Sequence, residues 1–434
     1  MKSIPIGVAR PVPSAEHSTV SQPGWHPRWL LAAPHRLGFC AAACMLSLSA
    51  LWWSAVLLSR AVGYSPAWAV PPPAAHALLM GLGFTPLFIA GFLFTAGPKW
   101  LGQPAVDARV LLRPVLLMLA GWCLVVPGLH LSSTLAAAGL ALVAGGWSRL
   151  CWRFVAILRA SRAPDRTHAQ VVAAACVVGA TTMWVAACAL AGADVTLLRA
   201  ATQVALWCFV ATVFVAVSHR MIPFFSASAL PALDAWRPMW LLWVMVAALW
   251  IEALAAVAAL GWGPLAPWLR GVQALMELPV ALLLLWLALR WGMVQSLKIR
   301  MLAMLHAGFL WLGLAYALSA VSHSLMAWTD GEQSLGLAPM HALTMGYLGA
   351  TLLAMATRVS SGHSGRSLAA DNTAWAMYWV LQAAVVMRVV AALWPSGATV
   401  LTLLAVLAWT TATVAWALRY GGWFVRPRID ARPG

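Results

Sequence analysis

Acidic side chains are scarce. Eleven Asp and Glu stand against 27 Lys and Arg in 434 residues, and the four charged types together make up only 9% of the chain. A soluble domain carries roughly 25% charged residues, so this chain lacks the polar surface that would cover a globule. Sustained apolar–polar alternation is also missing, which argues against a β-barrel. The seven cysteines contain no C-x-x-C pair and all lie in or beside apolar segments. They read as small packing residues, and a disulfide framework is unsupported. No apolar core precedes Leu37, so the N-terminus does not have the form of a signal peptide.

What is abundant is hydrophobic sequence: 63% of the residues, with a mean hydropathy of +0.84. The apolar runs are continuous over roughly 20 residues, the length an α-helix needs to cross a bilayer. Twelve such spans are predicted, at about 37–58, 74–96, 110–127, 129–150, 169–191, 199–219, 238–260, 267–289, 302–327, 338–357, 373–394 and 398–419. The expected fold class is therefore all-α, a polytopic membrane protein. Residues 1–36 read as a flexible cytoplasmic tail, 37–420 as the twelve-helix domain, and 421–434 as a second cytoplasmic tail. A tight turn is expected at Pro127-Gly128, and the segment Ser218 to Phe225 (SHRMIPFF) reads as the end of span 6.

The basic residues are distributed unevenly. The two tails and the loops after even-numbered spans hold 23 of the 27 Lys and Arg, while the loops after odd-numbered spans hold three, Arg60, Arg199 and Arg270. This is the positive-inside pattern. It predicts cytoplasmic termini and explains the formal net charge of +16 without a nucleic-acid partner. The expected partner is the lipid bilayer.

Two hexapeptides stand out. HALLMG (His76 to Gly81) and HALTMG (His341 to Gly346) agree at five of six positions. Each opens a span running from outside to inside, so His76 and His341 are expected at the same outer depth. In an α-helix, residues i and i+4 share a face, which pairs His76 with Met80 and His341 with Met345. Imidazole and thioether are ligands for haem iron and copper. His76 and His341 are thus the expected cofactor ligands on neighbouring helices, with His323, at the outer end of span 9, in reserve. His130 also lies on the outer side. His35, His168, His219, His306 and His363 fall on the inner side. Packing for the methionines and solvation for the histidines are the plainer alternatives.

Charges inside spans are costly and mark function or pairing. Glu252, Glu277 and Arg388 fall in the outer halves of spans 7, 8 and 11. They are expected to line one pocket, either as an ion pair or with Arg388 meeting an anionic group such as a haem propionate. On the inner side, the expected loop TRVSSGHSGR (Thr357 to Arg366) carries Arg358, His363 and Arg366. These could bind an anion or rest on anionic lipid.

Four stretches carry a family resemblance: PHRLGF (Pro34 to Phe39), GFLFTAGPKWLGQP (Gly91 to Pro104), RMIPFFSASAL (Arg220 to Leu230) and HALTMGYLGATLLAMATRVSSGHSGR (His341 to Arg366). Together they resemble the NnrS family. The resemblance implies a twelve-span bacterial inner-membrane protein that binds haem and copper and is linked to nitric oxide and nitrosative-stress physiology, with nitric oxide or a nitrosylated species as a partner. Many members begin span 2 with H-x-H-E-M; here Leu78 and Leu79 replace the second histidine and the acid. An analogy of placement adds the haem–copper oxidases, whose low-spin haem is held near the outer ends of spans 2 and 10. Span 7 here has no histidine, which argues against an oxygen-reducing haem–copper pair, and no catalytic residue is assigned. The competing function is a secondary transporter of a small solute or metal, with a polar pocket in the outer half of the membrane.

Overall fold

Twelve helices long and apolar enough to cross a membrane appear in the computed structural model, which describes residues 24–430. They are Pro34–Ala61, Pro72–Trp100, Arg109–Leu131, Ser133–Ala160, Thr167–Ala191, Val195–Ala229, Met239–Gly261, Pro267–Arg290, Arg300–Trp328, Ala338–His363, Asn372–Leu393 and Pro395–Phe424. They are numbered here as spans 1 to 12. The described residues contain no strand, so the fold is an all-α polytopic membrane protein. With an even number of spans, both chain ends leave from one end of the bundle. His26 and Val425, on the two tail segments, share a backbone hydrogen bond of 3.0 Å. The expected tails at 1–36 and 421–434 fall partly outside the described residues.

Successive spans pair as antiparallel neighbours: 1 with 2, 3 with 4, 4 with 5, 8 with 9, and 11 with 12. Span 1 closes the bundle against span 12. Span 2 is broken at Gly83-Phe84 into Pro72–Leu82 and Thr85–Trp100. Pro86 removes a helix donor there, and the Thr85 hydroxyl takes up the Gly81 carbonyl. Spans 6 and 10 each contain a π-helical stretch, Ala205–Ala211 and Ala342–Gly349.

Three helix ends differ from expectation. The turn between spans 3 and 4 is not at Pro127-Gly128. Span 3 continues through both residues to Leu131, and extended Ser132 starts span 4 by accepting a hydrogen bond from the Leu135 amide. Proline is tolerated inside membrane helices because neighbouring groups re-satisfy the backbone. Span 6 likewise passes through Pro223 to Ala229. Span 10 continues to His363, so Arg358 and His363 lie on a helix rather than in a loop.

Gly128 has a packing role instead. A Cβ on it would collide with the Ala136 backbone nitrogen, and one on Gly121 would fall 2.5 Å from the Gly139 carbonyl oxygen. Spans 3 and 4 therefore meet backbone to backbone, the small-residue contact that membrane helices use. Gly139→Ala is expected to lower stability by about 2 kcal/mol. Gly145→Ala, where the nearest atom is Leu117 Cδ2 at 3.8 Å, should change it by less than about 0.5 kcal/mol. Thermal midpoints in detergent check this, and equal midpoints would contradict the close contact.

Candidate functional site

The two hexapeptides come to the same end of the bundle, opposite the termini. His76 lies on the first turns of span 2, which packs against spans 1 and 6. Its ring stacks on Trp53 of span 1, with centroids 4.1 Å apart and planes at 27°. Its Nδ1 is buried and makes no hydrogen bond among the described residues. His341 lies at the head of span 10, held between spans 9 and 11. Its Nδ1 is 2.9 Å from the Leu337 carbonyl oxygen. A carbonyl only accepts, so Nδ1 carries the proton and Nε2 presents its lone pair. A ligating histidine is commonly oriented in this way.

His341 and Arg388 are the charged or titratable groups that act electrostatically on His76, and Arg388 also acts on His341. The half-buried Arg388 of span 11 makes no hydrogen bond or ion pair among the described residues. Two histidines and one guanidinium, from spans 2, 10 and 11, thus lie within electrostatic range of one another.

Depth alone predicts Arg388 beside Glu252 and Glu277, and here the structure differs. The glutamates form a separate polar cluster. Glu277 is bracketed by His323 Nδ1, at 2.8 and 2.9 Å from its two oxygens. Gln273 donates to Glu252 over 3.1 Å, and Arg270 donates to Gln273 over 3.2 Å. The two carboxyl groups lie within interaction range of each other. Arg270, about two helical turns before Glu277 on span 8, supplies the basic group that Arg388 was expected to supply. His323 is correspondingly committed to Glu277 and does not join His76 and His341.

Met80 and Met345 pack against the hydrophobic core. The i, i+4 pairing of His341 with Met345 is also altered, because Met345 lies in the π-helical stretch, whose wider turn shifts the register. Leu78 and Leu79 are 0% exposed, so the positions where the family pattern has a histidine and an acid are filled by core side chains. Among the described residues no group of three or more His, Cys, Asp and Glu is placed to hold a metal ion.

Four further histidines are hydrogen-bonded to protein groups. His130 closes span 3 rather than opening span 4. Its Nδ1 lies 2.9 Å from the Ala67 carbonyl, and its Nε2 accepts from Trp52 Nε1 at 2.9 Å. At the termini-bearing end, His168 Nε2 meets His219 Nδ1 at 2.9 Å, and His219 Nε2 donates to the Pro238 carbonyl at 3.2 Å. His306 Nε2 lies 2.9 Å from the Ser226 hydroxyl. No motif or spacing in the sequence signals these partnerships. Arg358 lies over the Phe225 ring, 3.9 Å from its centroid, which links the two stretches RMIPFF and TRVSS. An apolar cavity of about 60 Å³ between spans 1, 2, 6 and 10, lined by Phe39, Phe88, Val217 and Met355 among others, contains none of the candidate ligands.

The family model described as NnrS protein matches residues 29–428. The chain belongs to the NnrS family. No curated protein matches it. The match runs from the segment before span 1 to the segment after span 12, so the family assignment covers both clusters and all twelve spans.

Proposed function

We propose that this NnrS-family chain holds a haem at the end of the bundle opposite its termini, between His76 and His341, and acts in nitric oxide or nitrosative-stress tolerance. In this reading it lies in the bacterial inner membrane with both termini cytoplasmic, the orientation favoured by the Lys and Arg distribution. The observation that carries the proposal is that His76 and His341 open two spans at the same end of the bundle, each with a ring nitrogen that has no partner among the described residues, and that Arg388, likewise without a partner there, is within electrostatic range of both. These residues fit the group. Haem iron would take imidazole donors such as His76 and His341, and haem carries anionic propionates that a cation such as Arg388 would meet. Bound there, haem would supply a redox-active iron able to take up and pass on an electron. The Leu337 carbonyl orients His341, Trp53 fixes the plane of His76, and Arg388 offers a cation to an anionic substituent. No residue is proposed as catalytic.

Copper is less well served. Leu78 and Leu79 remove two of the family pattern's donors, and His76 with Met80 leaves only a pair. Copper therefore enters the proposal as a family property without an assigned set of residues.

A transporter is the second reading, favoured by the Glu252–Glu277 cluster in the membrane and by the break in span 2. Absorption spectroscopy and metal analysis of the purified full chain separate the two. A Soret band of bis-histidine character is expected, with iron stoichiometric to protein. A colourless, metal-free protein from haem-replete cells would favour transport.

A further inference from the structure

At the termini-bearing end, a second convergence involves other residues. His35 and Arg36 open span 1, Lys99 is near the end of span 2, His363 ends span 10, Arg366 follows it, and Arg426 and Arg428 follow span 12. The rings of His35 and His363 lie 4.5 Å apart, tilted by 43°. Arg36, Lys99 and Arg428 all act electrostatically on both rings, and Arg366 acts on Arg36.

Topology alone would put basic residues at this end, facing headgroups or water. Two of these are placed differently. His35 and Arg36 are each 2% exposed. The Arg36 guanidinium has five N–H donors, and among the described residues it makes one hydrogen bond, from Nη1 to the Arg426 carbonyl at 2.7 Å. His35 Nδ1 and Arg366 Nη1 are buried without a partner among the described residues. The Arg366 guanidinium lies over Trp423, 4.3 Å from the ring centroid, which fixes its place without neutralising it.

The nearby carboxylates do not balance these charges. Asp430 is taken up by Arg428 through bonds of 2.8 and 2.6 Å and lies against the Gly365 turn. Asp371 pairs with Arg419. Arg36, Lys99 and Arg366 form no ion pair with a described residue. A buried cation is costly unless it is paired and hydrogen-bonded, and guanidinium groups match the oxygens of a phosphate in geometry.

We infer that His35, Arg36, Lys99, His363 and Arg366 form a binding site for a phosphate group, distinct from the His76–His341 site. Buried Arg36 and His35 form its floor, and the half-exposed His363 and Arg366 form its mouth. The phosphate is either free inorganic phosphate or the headgroup of an anionic lipid. The two sources share this recognition chemistry.

The test uses the full chain. Thermal stability is measured in a zwitterionic detergent with phosphate against chloride at equal ionic strength, and in nanodiscs with or without phosphatidylglycerol. Phosphate should raise the midpoint, with an apparent Kd weakened at least about tenfold in Arg36→Gln and Arg366→Gln. Arg159→Gln, an exposed arginine on the same end of the bundle, should behave as wild type. A rise seen only with phosphatidylglycerol, and lost in the same two variants, identifies the source as lipid. If Arg36→Gln fails to fold, half-exposed Arg366→Gln and phosphorus NMR line broadening on the wild-type protein still decide. Absence of any phosphate or phosphatidylglycerol effect, or equal loss in Arg159→Gln, would overturn the site. Haem content is not the readout, so failure here leaves the proposed haem site untouched.

Discussion

Full-chain protein carrying His341→Ala should purify with at least about tenfold less haem than wild type, and His76→Ala should do the same. A ligand's supporting hydrogen bonds alone are worth about 10–100-fold in metal affinity, so removing the donor itself should cost no less. The two variants test different halves of the geometry. His341 is held from below by the Leu337 carbonyl, so its loss removes an oriented donor. His76 is positioned by stacking on Trp53, so His76→Ala also frees the indole. Arg388→Gln should retain haem but hold it less tightly, because the guanidinium lies within electrostatic range of both histidines without being a donor to iron. His168→Ala, at the opposite end, should keep the wild-type spectrum. Pyridine haemochrome assays on the four variants, expressed with excess haem precursor, give the numbers. Wild-type haem content in both His76→Ala and His341→Ala would exclude the shared site. Loss in His341→Ala alone would keep one ligand and require another partner.

The span count and the class are legible because hydrophobic length is a one-dimensional property. Each of the twelve predicted segments falls mainly on one helix, and the ends differ where a local rule is overridden. Pro127 and Pro223 look like stops in water but are carried inside membrane helices. His363 looks like a loop residue among Ser and Gly, yet span 10 reaches it. The matched depth of His76 and His341 is legible too, because depth follows from position within a span. Lateral position is not. Nothing in the sequence says which face of span 11 Arg388 occupies, so three charges at similar depth look like one pocket and are divided between two. The pairing of His323 with Glu277 and of His35 with His363 depends on helix rotation and neighbour order, neither of which a hydropathy pattern encodes. The π-helical stretch after His341 is equally invisible, and it undoes the simple i, i+4 argument for Met345.

Glu277→Ala is expected to cost about 1 to 3 kcal/mol of stability, the range for leaving a buried hydrogen-bonding group without its partner. Glu277 is 2% exposed. Its carboxyl group meets the His323 ring at 2.8 Å and lies within interaction range of the Glu252 carboxyl. Removing it leaves the His323 N–H without its acceptor and Glu252 with only the Gln273 amide. Tyr316, whose buried hydroxyl has no partner among the described residues, lies within electrostatic range of both glutamates, but it carries no charge that could replace either. Glu277→Gln should lose much less. Its amide oxygen can still accept from His323, and its NH₂ can donate to Glu252. The separation between the two variants is the informative quantity. It should appear as a large difference in detergent-unfolding midpoint. Equal losses would mean that the site needs a negative charge at Glu277, not the shape and hydrogen bonds that glutamine keeps. Near-zero loss in Glu277→Ala would mean that water reaches the cluster and satisfies His323 and Glu252, which is the behaviour a solute pathway would require.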